Sequence, residues 1–117
     1  MFEKDNCLHC VVDEDIINGT FIIPNTVYTI PLMTFAYKEN LEYIEIPDSV
    51  TEIGRATFFC CYNLKYVKLP QNLREIKRET FACCSNLEKI IFPAGLQKIG
   101  NRSFEYCNLL KEIILTR

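Results

Sequence analysis

The stretch that decides the fold is PDSVTEIGRATFFCCYNLKYVKL, residues 47–69, because the segments on both sides of it repeat its pattern without a gap. The next segment is PQNLREIKRETFACCSNLEKIIF, residues 70–92, and the pattern extends back to residue 24 and forward to residue 115. Each repeat starts with a proline, which sets a period of 23 residues: Pro24, Pro47, Pro70 and Pro93. A fixed period of this length is typical of a solenoid. The sequence therefore predicts four stacked repeats, at 24–46, 47–69, 70–92 and 93–115.

Apolar residues recur at the same positions of every repeat and form columns. Position 7 is always isoleucine, position 18 is always leucine, and position 12 is always phenylalanine: Phe35, Phe58, Phe81 and Phe104. So short a repeat cannot bury its own apolar face, so each must stack on its neighbours. Apolar positions 21 and 23 alternate with variable residues, as in a half-buried strand. Gly54 and Gly100 follow the isoleucine and predict a tight turn there. In the other two repeats Pro31 and Lys77 stand in place of this glycine.

The pattern I-P-x-x-[V/L]-x-x-I-G-x-x-[T/S]-F-x-x-C-x-x-L-x-x-[I/V] resembles the BspA-type leucine-rich repeat. The sequence departs from it at Lys38, where cysteine is usual, and at Thr57, Thr80 and Ser103, where alanine usually precedes the phenylalanine. The resemblance implies a β-rich leucine-rich-repeat solenoid, with a parallel strand ladder of about four to five coils and short or helical turns on the opposite side. It also implies protein binding, since members of this family are often bacterial or protozoan surface proteins implicated in adhesion.

The two ends of the stack differ. Residues 1–23 fit the period poorly, and we interpret them as an N-terminal cap whose Phe21 and Ile23 belong to a first strand, ahead of a solenoid at 24–117. No such cover follows the last repeat, where Ile113, Ile114 and Leu115 precede only two more residues. We therefore expect either further chain or self-association through this C-terminal coil.

Composition and charge exclude several classes of partner. A formal charge of −2 and a pI near 5.4 do not favour nucleic acid. The absence of a run of about 18 apolar residues argues against membrane insertion.

The first residues lack the apolar run of a signal peptide, so the default compartment is the cytoplasm. The family resemblance and the glycosylation-type triplets at 18–20 and 101–103 favour the cell surface instead.

The sequence contains no residue pattern typical of a catalytic site. There is one histidine, no glycine-rich phosphate loop, and no polar residue that interrupts the core columns. The sequence therefore predicts no enzyme activity, no catalytic or metal-binding residue and no cofactor. Cys7 and Cys10 form a C-x-x-C around His9, and a thiol redox or metal-binding module is the less favoured alternative, because no second cysteine pair follows at a suitable spacing.

The repeat cysteines fall into two neighbouring columns. An odd total of seven, without a signal peptide, predicts reduced thiols. Position 15 is in register with the core and predicts inward thiols: Cys61, Cys84 and Cys107. Position 14 predicts that Cys60 and Cys83 point outward, which makes them the better candidates for an oxidisable pair.

The outward positions of the strand ladder are the predicted partner-binding site. Positions 20 and 22 of the four repeats contribute eight residues: Tyr43, Glu45, Tyr66, Lys68, Lys89, Ile91, Glu112 and Ile114. Opposite charges in register, as at Glu45 and Lys68, could support stacking by about 0.2–1 kcal/mol. Charge pairing does not explain the tyrosines and isoleucines, and tyrosine is a favoured interface anchor. We therefore predict a protein or peptide partner; the alternative is a structural spacer within a longer surface protein.

Overall fold

A computed structural model of the protein describes residues 2–116. Within these residues the chain forms short strands and one 3-10 turn, Asp13–Asp15. The strands, numbered along the chain, are β1 (Phe2–Lys4), β2 (Cys7–His9), β3 (Thr29–Ile30), β4 (Tyr43–Glu45), β5 (Glu52–Ile53), β6 (Tyr66–Lys68), β7 (Glu75–Ile76), β8 (Lys89–Phe92), β9 (Lys98–Ile99) and β10 (Glu112–Leu115).

The main ladder is a parallel sheet with one strand from each of the four repeats, which we number coil 1 to coil 4. Its order is β10-β8-β6-β4, and each residue pairs with the residue one repeat away, as Ile44 does with Val67 and Val67 with Ile90. The molecule is a parallel-strand β-solenoid of about five turns with almost no helix. The predicted fold class is confirmed.

A second ladder on another side of the solenoid is interrupted. β2, β3 and β5 belong to one sheet and β7 and β9 to another, and in the described chain no strand pairing joins β5 to β7. The amide of Gly54 donates to the carbonyl of Ile30 at 2.7 Å, and that of Gly100 donates to Ile76 at 2.7 Å. On this side the coils are therefore joined in pairs, coil 1 with coil 2 and coil 3 with coil 4.

The two glycines explain this pairing. A Cβ atom on Gly54 would collide with the backbone of Leu32, and one on Gly100 would collide with the backbone of Arg78. Glycine is therefore present because the preceding coil approaches closely, whereas the sequence suggested a tight turn. Coil 3 has Lys77 at this position, and its ammonium lies 3.3 Å from the Glu52 carboxylate across the interruption.

The phenylalanine column forms the centre of the core. Phe35, Phe58 and Phe81 are fully buried, and Phe104 in the last coil is half-buried. Successive rings of the first three lie with centroids 5.3 Å apart and nearly parallel planes, at 6° and 2°. The stacking expected from a 23-residue period is thus present as an internal ladder of aromatic rings.

Hydroxyl groups next to the phenylalanines account for the departure from alanine. Thr57 donates to the Gly54 carbonyl at 2.6 Å, and Thr80 donates to the Lys77 carbonyl at the same distance. Ser103 donates to the Gly100 carbonyl at 2.7 Å. These buried side chains therefore bind carbonyls in the turn before the phenylalanine and need no water.

An asparagine column ties each coil to the one before it. The side-chain amides of Asn63 and Asn86 donate to the carbonyls of Glu39 and Tyr62, each at 2.7 Å. Asn40 donates in the same way to the Asp13 carbonyl at 3.0 Å. In the last coil this position is Leu109, so the column ends there.

The predicted first strand at Phe21 and Ile23 does not form, although both side chains are buried. Thr20 makes a single bridge to Tyr43, and its amide and carbonyl are both bonded to Ile17 in a tight turn, at 3.0 and 2.9 Å. The ladder contact of this segment therefore ends with the Thr20 bridge, and residues 21–23 lie outside any strand. The division into a cap at 1–23 and a solenoid at 24–117 stays a prediction.

Candidate partner-binding face

The main ladder places the eight predicted site residues in two straight rows. One row is formed by Tyr43, Tyr66, Lys89 and Glu112, and the other by Glu45, Lys68, Ile91 and Ile114. The residues between them along β4, β6 and β8 are buried: Ile44, Val67 and Ile90. Because side chains alternate across a strand, both rows face outward.

The outward face is most open at its tyrosine end. Tyr43 is 46% exposed, and Glu45 is also exposed, whereas Tyr66 and Lys68 are half-buried. These four residues line a groove of about 520 Å³. The other four residues lie outside this groove: Lys89, Ile91, Glu112 and Ile114. The structure therefore brings only half of the predicted site together around one concavity.

Ile22 belongs to the same groove and was not predicted. It is 79% exposed and lines the groove together with Thr20, Tyr43 and Glu45. The signal was present in the sequence, since Ile22 stands one period before Glu45. Because the sequence indicates a cap at residues 1–23, it does not assign Ile22 to the outward face.

The charges on the face are arranged differently from what their register suggested. Among the described residues, no ion pair within 4.0 Å joins Glu45 to Lys68 or Lys89 to Glu112. The neighbouring outward column pairs instead, with Lys65 3.4 Å from Glu42 and Lys111 3.9 Å from Glu88. Register brings the Cα atoms of these residues together without bringing their charged groups into contact.

Tyr66 is held by its neighbours. The Lys89 ammonium lies 6.0 Å from the centre of the Tyr66 ring, a cation–π distance. Burial, and secondarily the negative charge of Glu45, raises the pKa of Tyr66. The Tyr66 hydroxyl therefore stays protonated and can donate a hydrogen bond, while Tyr43 and Ile22 present the open apolar surface.

The inward cysteine column is confirmed for the two middle coils. Cys61 and Cys84 are fully buried, and their thiols donate to the carbonyls of Phe35 at 3.0 Å and Phe58 at 3.2 Å. Cys107 donates to Phe81 at 3.1 Å but is half-buried in the last coil. Burial raises the pKa of Cys61 to about 12 and that of Cys107 to about 11, and it also raises the pKa of Cys84.

The prediction that Cys60 is an exposed thiol is wrong, because this residue is only 5% exposed, while Cys83 is half-buried. Cys60 has a φ of 57° and Cys83 a φ of 62°, a left-handed backbone that they share with the exposed Tyr37 and Tyr106, so neighbouring side chains and not the backbone account for the burial of Cys60. A hydrogen bond with Cys60 raises the pKa of Tyr62 to about 12. Cys60 therefore lies against the Tyr62 side chain.

The two cysteines of the C-x-x-C segment lie at the start of β2 and directly after its end. Cys7 is half-buried in β2 and Cys10 is exposed, and all seven cysteines are free thiols. In residues 2–116 no group of three or more histidine, cysteine or acidic side chains could hold a metal ion. Over the same residues, no helix combines the length and apolar character needed to cross a bilayer.

The last coil presents an apolar surface at the end of the stack. Ile113 is 49% and Leu115 71% exposed, whereas Ile114 is half-buried on the outward face. A groove of about 540 Å³ opens beside this end and is lined by residues including Leu96, Ile99 and Leu115. The three residues predicted for self-association therefore do not share one face.

The repeat pattern, the stacked rings and the parallel ladder agree with a comparison against known families. The family described as BspA type leucine rich repeat region matches residues 16–117, in six copies. The chain belongs to the BspA-type leucine-rich repeat family. Leucine-rich repeats generally mediate protein interactions, and their fold is generally non-enzymatic. A comparison with curated proteins found no match.

Solved bacterial structures share this BspA-type fold. A leucine-rich repeat protein of T. pallidum is 28% identical, with a TM-score of 0.77 over 85% of this chain. One from Bacteroides capillosus is 33% identical, with a TM-score of 0.69 over 78% of this chain. A leucine-rich cell surface protein of Faecalibacterium prausnitzii is 28% identical, with a TM-score of 0.55 over 85%. The chain spans 52%, 64% and 32% of these three proteins, respectively.

Proposed function

We propose that this chain is a non-catalytic interaction module whose outward strand face binds a protein or an extended peptide, with the contact centred on the groove at the first two coils. The observation that carries the proposal is the exposed apolar surface of Ile22 and Tyr43 beside that groove. The stack does not need these side chains, because the buried columns hold the coils together.

The groove has the composition of an interaction site. Aromatic and aliphatic groups form its floor, Tyr66 supplies a hydroxyl donor, and Glu45 and Lys68 supply charges of both signs. Interfaces of this kind combine an apolar centre with a polar rim. Ile91 and Ile114 would extend the contact along the ladder, with Lys89 and Glu112 beside them.

A peptide selected on the protein itself tests the proposal. A random-peptide phage library is selected against the wild-type chain, and the best peptide is synthesised for titration calorimetry. Changing Tyr43 and Tyr66 together to serine should weaken binding at least about tenfold, since loss of a tyrosine at the centre of an interface can cost about 2 kcal/mol. Tyr28→Ser with Tyr106→Ser removes two exposed tyrosines elsewhere on the surface and should leave binding unchanged.

Equal affinity for the wild type and the Tyr43/Tyr66 variant would contradict the proposed site. Thermal melting of each variant establishes that the fold is intact. Failure of the selection to yield any peptide that competes at this face would favour the alternative, a structural spacer within a longer surface protein.

We extend the proposal to an adhesion-type role at the cell surface. The support is the F. prausnitzii relative, which is named a cell surface protein and is longer than this chain. Protease treatment of intact cells of the natural source tests the location. Digestion of the protein in intact cells supports the proposal, and protection that is lost only after lysis contradicts it.

The end of the stack favours a second candidate function, self-association through the C-terminal coil. Exposed Ile113 and Leu115 could pack against the same residues of a second copy and so cover apolar surface. Sedimentation velocity over a hundredfold concentration range should then show a dimer. Ile113→Glu with Leu115→Glu should abolish that dimer, whereas Ile22→Glu should not.

A further inference from the structure

One surface column changes its chemistry along the stack. Its four residues occupy equivalent places in coils 1 to 4, and all have a left-handed backbone with φ between 57° and 63°: Tyr37, Cys60, Cys83 and Tyr106. The outer two members are exposed tyrosines, and the inner two are cysteines. The cysteines therefore stand on the two coils that meet at the interruption between β5 and β7.

The two thiols are close neighbours. The Cys60 amide donates to the carbonyl of Ala82, the residue before Cys83, at 2.9 Å. Two residues earlier in each coil, the rings of Phe58 and Phe81 stack 5.3 Å apart with planes 2° apart. The coils are thus related by a translation of about 5 Å at this point, inside the Cα separation of about 4.4–6.8 Å that a disulfide spans.

We propose that Cys60 and Cys83 are a site of reversible oxidation, forming a disulfide that fastens coil 2 to coil 3. The oxidant is a peroxide. The Cys83 thiolate attacks one peroxide oxygen, an alcohol or water leaves, and Cys83 becomes a sulfenic acid. The Cys60 sulfur then attacks the Cys83 sulfur and displaces the oxygen as water. Two thiols lose two electrons and two protons in total, and the peroxide is reduced.

Exposure decides which thiol reacts first. Cys83 is half-buried and reachable, while Cys60 is buried in contact with Tyr62 and resolves the sulfenic acid. The groups that face Cys83 are Cys60, Tyr62, Glu79 and Glu105. Burial, followed by the interaction with Cys60 and the two carboxylates, raises the pKa of Cys83. Oxidation is therefore slow at neutral pH and accelerates as the pH rises, because the thiolate is the nucleophile.

The adjacent thiols of Cys61 and Cys84 are an internal contrast. They have the same coil spacing, but they are fully buried and their protons are donated to the carbonyls of Phe35 and Phe58. These interactions hold the thiols in their protonated, unreactive form. Within the same two coils, oxidation is therefore expected at Cys60 and Cys83 and not at Cys61 and Cys84.

The disulfide acts at a weak junction. Among residues 2–116, no strand pairing joins coil 2 to coil 3 on the side of β5 and β7. The parallel directions of the two side chains strain the link, and strained disulfides are the more easily reduced ones. The oxidised form therefore gains a covalent link between coils 2 and 3, which in the reduced form are joined by the main ladder and the stacked rings.

Mass spectrometry of the whole chain after hydrogen peroxide treatment tests the proposal. The product should lose two hydrogen atoms, about 2 Da, and recover them with dithiothreitol. Trypsin should release peptide 56–65 linked to peptide 79–89, because cleavage follows Arg55, Lys65, Arg78 and Lys89. Oxidation should also raise the thermal midpoint by about 5 °C and slow amide exchange in β5 and β7.

Serine variants distinguish the pair Cys60 and Cys83 from the adjacent pair Cys61 and Cys84. Cys60→Ser or Cys83→Ser should abolish the linked peptides, and Cys61→Ser with Cys84→Ser should leave them unchanged, with circular dichroism establishing the fold of each. Linked peptides that survive in Cys83→Ser would overturn the proposal. So would a wild-type chain that yields only sulfinic or sulfonic acids, or only links between molecules.

Discussion

Phe58 and Phe81 lie ring against ring, with centroids 5.3 Å apart and planes within 2° of parallel, although 23 residues of chain separate them. Both are fully buried. Phe81→Ala should therefore lower the free energy of unfolding by about 3–5 kcal/mol. Phe104→Ala in the half-buried last coil should cost clearly less. Urea titrations of the two variants measure this difference, and equal losses would show that burial does not decline toward that end.

Gly54 and Gly95 predict opposite responses to the same substitution. Gly54→Ala forces a methyl group into the backbone of Leu32 and should destabilise the chain by about 1–3 kcal/mol, as overpacking does. At Gly95 an added methyl group meets the end of the Arg74 side chain, which can move aside. Gly95→Ala should therefore change the melting temperature little. A tolerated Gly54→Ala would contradict the close approach of coils 1 and 2.

Leu109 interrupts the asparagine column, and Leu109→Asn should repair it. The new amide would donate to the carbonyl of Ser85, as Asn86 does to that of Tyr62. One added hydrogen bond should stabilise the chain by about 0.5–1.5 kcal/mol. Leu109→Ala removes the same exposed apolar group without adding a donor, so only the difference between these variants reports the hydrogen bond. Chemical denaturation measures both, and identical values would count against the column.

Cys61 should make the fold sensitive to alkali. Its pKa is about 12 in the folded chain against an ordinary value of 9.0, so the unfolded chain loses this proton first. The stabilising contribution is complete below pH 9 and declines as the pH rises toward 12, by up to about 1.4 kcal/mol per pH unit. Cys61→Ala should flatten the decline in unfolding free energy between pH 8 and about 10.5. A decline of unchanged slope would assign the effect to other groups.

The fold could be predicted from the sequence because the core residues recur in register. Phe35, Phe58 and Phe81 stand at one position of every repeat, and a 23-residue unit has no way to bury them except by stacking. The outward rows followed from the same register. That only half of those residues share a groove could not be predicted, because the periodicity gives rows along the whole ladder and does not show where the surface becomes concave.

Other features depend on contacts that the periodicity does not encode. Cys60 is buried because neighbouring side chains, among them Tyr62, pack against it, whereas the repeat pattern places it in the same column as the exposed Tyr37 and Tyr106. Glu45 and Lys68 oppose each other in the ladder but make no ion pair, since side-chain conformation decides that contact. The role of Gly54 became clear only from the backbone of Leu32, which lies against it.

The pairing of coils through Gly54 and Gly100 has a consequence for how such a chain grows. Each glycine faces the coil before it, so an added repeat that carries glycine can pair with any preceding coil, whereas an added repeat like coil 3, with lysine there, leaves a further interruption. Lineages that lengthen this solenoid without breaking its second ladder are therefore expected to duplicate the glycine-bearing coils.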